Sequence, residues 1–321
     1  MDRDWALIVL VGVGFGSAFF FHELLLREMG PLHIGLGRLA LAAIACWTFL
    51  LLTGRSGKVP AQQVFPLAIL GLFNFLVPLV AFTSGQQFVG AGYTGIVNAM
   101  TPAFTVVIAQ FWPGGEGMNR HKLMGVIAGF IGVSVLVSPQ SGVGNPEQLT
   151  GTLILLAAPI GFACALNWIR SIRDVSPFLI CTWALTFAAL FLLPAALVFE
   201  GVPNSMSPAS WVSIGFVGVV LTAVGFQVLF GVLPRAGPTK VASVTYIIPI
   251  SAIFLGAVFL GERLEATHAV GIAAIFAGLL LIDRGRSTEL KKRTKRWSNV
   301  GSKPSSDGCR RASASQDEAD F

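Results

Sequence analysis

The chain has 321 residues, of which 54% are hydrophobic and 12% charged, and its mean hydropathy is +0.74. These values exclude an ordinary soluble domain, because even the core helices of soluble proteins keep a polar face toward water. The net charge of +6 does not indicate a nucleic-acid partner, since ten of the 22 Lys and Arg residues lie in a tail from Arg284 to Arg311.

Apolar stretches of membrane-spanning length follow one another along the chain. We predict an all-α integral membrane protein with ten transmembrane helices, over 5–25, 32–52, 65–85, 90–112, 122–139, 150–170, 178–199, 209–232, 239–260 and 267–283. Turn-forming residues mark breaks between these helices, at 29–31, 54–60, 113–115, 138–146, 202–208 and 235–238. The polar, basic segment 285–321 is predicted to be a disordered cytoplasmic tail.

The two halves of the chain repeat one pattern of residues at a spacing of 146 or 147 positions. The matched pairs are Pro31 and Pro177, Pro102 and Pro249, Glu116 and Glu262, Gly125 and Gly271, and Gly132 and Gly278. This regular spacing indicates an internal duplication, with a first repeat of five helices at 4–139 and a second at 150–284.

The distribution of positive charge predicts the orientation in the membrane. If the N-terminus is cytoplasmic, the outer loops carry only Arg27 and Arg263. The inner segments then carry Arg3, Arg55, Lys58, Arg120, Lys122, Arg170, Arg173, Arg235, Lys240 and the basic tail. We therefore expect a multi-pass protein of the plasma or inner cell membrane with both termini in the cytoplasm. Because each repeat has an odd number of helices, the two repeats form an inverted-topology pair, as in many secondary transporters.

Several motifs resemble the drug/metabolite transporter superfamily, specifically its EamA-type permeases with two tandem five-helix repeats. The motifs are Leu260-Gly261-Glu262-Arg263-Leu264 followed by Gly271 and Gly278, Pro31 to Arg38-Leu39, and Gly14-Phe15-Gly16-Ser17. The corresponding turn of the first repeat, 113–119, is a looser version. The resemblance covers roughly 5–283 and implies a ten-helix carrier of small organic solutes, amino acids among them.

Polar residues on the fourth and ninth helices are the main candidates for a substrate cavity. Thr94, Asn98, Thr101 and Thr105 recur on one helical face beside Pro102, and the ninth helix carries Thr245, Tyr246 and Pro249. A proline in a span frees a backbone carbonyl for a substrate or water, so we expect the two helices to face each other across the cavity. Contacts between packed helices are the alternative explanation.

Other polar residues within the spans are weaker candidates for the cavity or for ion coupling. Asn167, Trp168 and Gln227 suit a polar organic substrate, while Asn74 and Gln86 are isolated polar residues. Arg38 could attract an anionic group or reach a helix end. His22 and Glu23 could relay a coupling proton or lie among the lipid headgroups. Glu262 is expected to stabilise the N-terminus of the tenth helix.

These observations predict a secondary transporter that exports small organic metabolites by alternating access across the lipid bilayer. The chain has no phosphate-binding G-x-x-x-x-G-K-[ST] motif, so a proton gradient or exchange would supply the energy. The alternatives are a flippase for lipid-linked substrates and a channel-like pore. A membrane enzyme, a cofactor and a metal site are not expected, because His22, His33, His121 and His268 lack ligand spacing. A homodimer is left open.

Overall fold

The computed structural model describes residues 3–113, 118–137, 146–202, 206–242, 244–262 and 269–284. Within these ranges the secondary structure is entirely helical. The helices are α1 (Arg3–Leu25), α2 (Pro31–Leu52), α3 (Ala61–Gly85), α4 (Ala91–Phe111), α5 (Arg120–Val137), α6 (Pro146–Ser171), α7 (Pro177–Phe199), α8 (208–242), α9 (Val244–Phe259) and α10 (269–284). The predicted tail at 285–321 lies outside the described residues, as do Glu116 and Arg263.

Among the described residues, seven helices are long and apolar enough to cross a membrane, namely α1 to α4, α6, α7 and the part of α8 from Pro208 to Val232. The helix α9 is apolar but shorter, with 16 residues. Large apolar side chains are also exposed on the outside of the helices, for example Phe111 with 86% of its surface accessible. Such a surface is stable against lipid rather than water, and the protein is a multi-pass membrane protein.

The helix starts follow from local sequence. Pro31, Pro177 and Pro208 each occupy the first position of a helix, where a missing N–H costs nothing and the fixed φ suits the helix. The side chains of Ser176 and Ser207 accept hydrogen bonds from backbone N–H groups of the first turns of α7 and α8, at 3.4 and 3.2 Å.

The break predicted at 235–238 is wrong, because the backbone of α8 is helical through Ala242. Membrane helices tolerate an interior Gly-Pro pair because neighbouring groups can satisfy the freed backbone carbonyl. The end of α8 is therefore ten residues beyond the prediction of 232.

Two helices contain π-helical segments, at Leu72–Leu76 in α3 and Phe216–Val224 in α8. The second segment overlaps the first when the chain is shifted by 146 positions. An extra residue in a helical turn redirects side chains, and π segments are frequent at functional sites. Both halves of the chain therefore carry the same irregularity at the same place.

The helices α5 and α10 approach each other closely through glycine residues. A Cβ atom on Gly125 would lie 2.5 Å from the carbonyl oxygen of Gly278, and one on Gly132 would lie 2.8 Å from that of Gly271. Because the earlier glycine of α5 meets the later glycine of α10 and the later meets the earlier, α5 and α10 are antiparallel. Only glycine permits this backbone contact, which is a common way for helices to associate in membranes.

The remaining helices pack in pairs that place the halves of the chain side by side. The helix α1 packs against α9, α4 against α6, and α2 against α7. The main apolar core lies between α1, α4, α6 and α9, and a second core lies between α2, α3 and α7. The space between these two cores is where the candidate site lies.

Candidate functional site

A small, partly open cavity lies between α2, α3, α6 and α8. Its lining consists of Arg38, Leu39, Asn74, Phe75, Pro78, Leu79, Phe82, Phe162, Thr222 and Phe226. Both π segments contribute to it, through Asn74 and Phe75 in α3 and Thr222 in α8. A largely apolar wall with a few polar groups is typical of sites for small organic molecules.

Arg38 is the charged residue of the cavity lining and is only 8% exposed. Its Nε donates a hydrogen bond to Thr222 Oγ1 at 2.6 Å, and its Nη1 donates to His22 Nε2 at 2.9 Å. Thr222 Oγ1 in turn donates to the carbonyl of Val217 at 2.8 Å. Within the described part of the chain, no carboxylate lies within ion-pair distance of Arg38. The guanidinium is therefore held by neutral groups alone.

The contact with Arg38 determines the tautomer of His22. A guanidinium has no acceptor atom, so His22 Nε2 must accept and the ring proton must be on Nδ1. Nδ1 then donates to Gln86 Oε1 at 3.2 Å, and Gln86 Nε2 donates to the carbonyl of Phe19 at 2.9 Å. This chain of hydrogen bonds holds a neutral imidazole and fixes the orientation of the guanidinium.

Glu23, the neighbour of His22, is half-buried near the C-terminal end of α1. Its Oε2 atom is buried and has no hydrogen-bond partner among the described residues. His22, in contrast, contacts Arg38 and Gln86, and the sequence did not indicate this connection.

Two carboxylates bind the N-termini of helices in the other half of the chain. Glu200, at the end of α7, accepts hydrogen bonds from the backbone N–H groups of Leu32 and His33 in α2, at 2.9 and 2.8 Å. The ring of His33 also lies 2.9 Å from Glu200 Oε2 through Nδ1 and 3.0 Å from the carbonyl of Gly201 through Nε2. The free N–H groups and the dipole of a helix N-terminus favour a carboxylate at this position.

Glu262, which follows α9, binds the N-terminus of α4 in the same way. It accepts from Ala91 N–H at 2.7 Å and from Gly92 N–H at 3.0 Å. The carboxylate was expected to act on the tenth helix, whose first residues lie outside the described part of the chain; in the structure it binds the N-terminus of the fourth helix.

The candidates on α4 lie close together, and their side chains bond to their own helix. Thr94 Oγ1 donates to the carbonyl of Gly90 at 2.9 Å, and Thr101 Oγ1 donates to that of Asn98 at 2.7 Å. Asn98 and Thr101 are buried, and Pro102 beside them is half-buried. These residues do not line the cavity between α2, α3, α6 and α8.

The candidates on α9 lie against α4. A Cβ on Gly95 would lie 3.4 Å from the Cα of Pro249, which is buried within α9. Thr245 and Tyr246 are half-buried, and the Tyr246 ring centroid is 6.1 Å from that of Phe276. The two proline-containing helices touch directly at this level.

Asn167, Trp168 and Gln227 all donate to backbone carbonyl groups. Asn167 Nδ2 reaches Ala163 O at 2.9 Å, Trp168 Nε1 reaches Pro66 O at 2.9 Å, and Gln227 Nε2 reaches Phe178 O at 3.4 Å. Trp168 thereby connects α6 with α3 of the other half, whereas the bond of Gln227 connects α8 with α7 within the second half.

Sequence reasoning missed Thr222 and the phenylalanine residues of the cavity, and it gave Asn74 no specific role. A signal for two of them was present, because Asn74 and Thr222 are isolated polar residues in apolar spans and lie at nearly corresponding positions of the two repeats. The Phe residues could not be distinguished from others, since the chain contains 25.

The apolar helices define the class of the molecule as a multi-pass membrane protein, and comparison with known proteins supplies the family. The EamA-like transporter family matches this chain twice, over 5–138 and over 149–283. The protein therefore belongs to the EamA-like transporter family. This confirms the resemblance seen in the motifs, and the family indicates a transporter rather than an enzyme.

Individual relatives are distant but match along almost their whole length. The uncharacterized transporter YoaV of Bacillus subtilis (strain 168) is 24% identical over 277 residues, covering 85% of this chain and 94% of that protein. A "Probable amino-acid metabolite efflux pump" of Salmonella typhimurium (strain LT2) is 26% identical over 292 residues, covering 87% and 94%. A solved crystal structure superposes with a TM-score of 0.62 at 18% identity, covering 92% of this chain and 99% of that chain, which shows a shared fold.

Proposed function

We propose that the protein is a secondary transporter that exports small organic metabolites, such as amino acids or related solutes, by alternating access between two inverted repeats. The observation that carries the proposal is the cavity with Arg38, Asn74 and Thr222 in its wall, built where π segments of both halves meet. Membership of the family, and the similarity to the Salmonella protein named a probable amino-acid metabolite efflux pump, support transport of this class of solute.

The glycine contacts between α5 and α10 support the inverted repeat. Gly125 and Gly271 are matched positions of the two halves, as are Gly132 and Gly278. The contacts run crosswise, from Gly125 to Gly278 and from Gly132 to Gly271. This reciprocal pattern is expected when two units are related by a two-fold axis. Because the helices are antiparallel, the axis would lie in the membrane plane.

A second pair of contacts, between other helices, has the same relation. A Cβ on Gly71 of α3 would contact the carbonyl oxygen of Ala184 in α7, and one on Gly218 of α8 would lie 3.0 Å from the carbonyl oxygen of Arg38 in α2. Gly71 corresponds to Gly218, and Arg38 corresponds to Ala184, at spacings of 147 and 146 positions. The cavity lies beside these contacts, along the seam between the repeats.

In this mechanism the two carboxylate contacts close the outer side. Glu200 and Glu262 each join a second-repeat segment to the N-terminus of a first-repeat helix, on the side that the charge distribution places outside. Opening to the outside requires these contacts to separate. The buried, unpartnered Oε2 of Glu23 supports this residue as a candidate for proton coupling, although exchange would also supply the energy.

Transport assays in membrane vesicles test the proposal. Everted inner-membrane vesicles containing the chain would be offered a panel of labelled amino acids and small metabolites, with and without a pH gradient. We expect saturable accumulation of at least one solute above vesicles from cells without the chain. A panel with no accumulation, or ion currents far above carrier turnover, would contradict the proposal and favour another function.

A further inference from the structure

The buried guanidinium of Arg38 has donors that the protein does not use. Of its five N–H groups, the hydrogen bonds to Thr222 and His22 engage one on Nε and one on Nη1. Nη2 has no partner among the described residues, and Arg38 belongs to the wall of the cavity. Burying a positive charge without a negative partner is costly, so an anionic ligand would be strongly favoured here.

The rest of the wall favours an apolar body on that ligand. Four phenylalanine rings surround the cavity, from Phe75 and Phe82 of α3, Phe162 of α6 and Phe226 of α8. The rings of Phe75 and Phe226 contact each other edge to face, with centroids 5.0 Å apart. Rings at such spacing accept an aromatic group in an edge-to-face or offset arrangement.

The lining also contains no carboxylate that could pair with an ammonium group of the same solute. Its polar members besides Arg38 are Asn74 and Thr222, and Thr222 is already engaged with Arg38 and Val217. A zwitterion would satisfy Arg38 but would bring its ammonium group among apolar side chains without a counter-charge. A cation would oppose Arg38 directly.

We propose that the cavity binds organic monoanions, with the carboxylate on the free donors of Arg38 and an aromatic or bulky apolar body against the phenyl rings. This inference rests on the proposed transport function and names its substrate class. Arg38 is the residue that determines the preference, and His22 is a positioning residue that holds the guanidinium through Nη1. Among the solutes proposed above for transport, carboxylates without an ammonium group are then better ligands than the amino acids themselves.

Three compounds that share a phenylethyl body test the charge preference. 3-Phenylpropionate, L-phenylalanine and phenethylamine carry net charges of −1, 0 and +1 at pH 7. Binding of labelled 3-phenylpropionate to the purified full-length protein in nanodiscs would be measured, with the other two as competitors. We expect L-phenylalanine to compete at least about tenfold more weakly than unlabelled 3-phenylpropionate, because burying its ammonium group without a counter-charge is costly. Phenethylamine should not compete, because it lacks the carboxylate that would accept hydrogen bonds from Arg38. Equal competition by the zwitterion or the amine, or no binding of the anion, would overturn the proposal.

Substitutions assign the preference to one residue. Arg38→Gln is expected to reduce anion binding at least about tenfold, whereas Arg38→Lys should keep the order of the three compounds. Arg235→Gln is the matched control, because it removes the same charge from a side chain that is 61% exposed and does not line the cavity. If Arg38→Gln does not fold, the compound series on the wild-type protein and on Arg38→Lys decides the question. Unchanged anion binding in a folded Arg38→Gln protein would refute the assignment.

Vesicle transport separates this inference from the proposed function. Accumulation of zwitterionic solutes without a preference for anions would overturn the anion site and leave the transporter standing. Tight anion binding without accumulation in vesicles would support the site and contradict transport. Saturable 3-phenylpropionate transport that Arg38→Gln abolishes would support both.

Discussion

Removing the carboxylate of Glu262 should expose the N-terminus of α4. In the structure the N–H groups of Ala91 and Gly92 donate to the two oxygens of this carboxylate, at 2.7 and 3.0 Å. They are at the first turn of α4, where no carbonyl of the helix can accept them. In Glu262→Ala both N–H groups therefore lose their acceptor, whereas Glu262→Gln keeps one acceptor oxygen and loses the charge.

The expected cost follows from these contacts. A partly buried N–H group left without its charged acceptor costs about 1–3 kcal/mol, and water at the membrane surface compensates part of this. We expect about 2–4 kcal/mol for Glu262→Ala and roughly half as much for Glu262→Gln. At about 1.4 kcal/mol per factor of ten, the alanine variant should exchange the two amide protons roughly 30- to 700-fold faster.

Hydrogen–deuterium exchange measured by mass spectrometry on peptides covering 90–98 checks this value. Glu200→Ala is the matched control, because its carboxylate binds Leu32 and His33 of α2 in the same way. Each alanine variant should increase exchange at its own helix and leave the other helix protected. Unchanged exchange at Ala91 and Gly92 in Glu262→Ala, or equal exchange at both helices in either variant, would refute the reasoning.

Three further predictions concern other parts of the molecule. Gly125→Ala should lower the thermal unfolding temperature by an amount equivalent to about 1–3 kcal/mol, because its Cβ would lie 2.5 Å from a carbonyl oxygen of α10. Gly215→Ala is the control and should leave this temperature unchanged, because its Cβ would have no atom within 4 Å. Asn98→Ala should reduce the rate of any transport found in vesicles, and an unchanged rate would remove this residue from the substrate path. The backbone N–H of Ser207 donates to Glu28 at 2.9 Å and lowers the pKa of that carboxyl group. The stability that this contact contributes is therefore present above the ordinary carboxyl pKa and is lost as pH falls through the lowered pKa. Wild-type and Glu28→Gln proteins should differ in stability at pH 7 and converge in acid, and a difference that grows in acid would contradict this.

Much of the fold could be predicted from the sequence. Long apolar runs indicate membrane helices, and turn-forming residues indicate where these helices end. The close approach of α5 and α10 was also partly predictable, since Gly125 and Gly278 belong to the matched pattern of the two halves. Their crosswise contact required the structure, because spacing in sequence does not reveal which glycine meets which.

The site was harder to predict for three physical reasons. The π segments at 72–76 and 216–224 have no local sequence signal that separates them from the surrounding helix. The partner of Glu262 is a helix N-terminus 170 residues away in the chain, and proximity in sequence does not reveal such a contact. Arg38 was recognised as unusual, but its neutral partners and its missing counter-charge depend on how α1, α2 and α8 pack together.

The opposite orientation of the two repeats in the membrane underlies the proposed cavity and the transport mechanism. Topology reporters fused after residue 144, between the repeats, and after residue 284, beyond the second, test this directly in cells. We predict that the first reporter lies outside the cell membrane and the second lies in the cytoplasm. Two reporters on the same side would contradict the inverted pair and, with it, the cavity at the seam between two opposed halves.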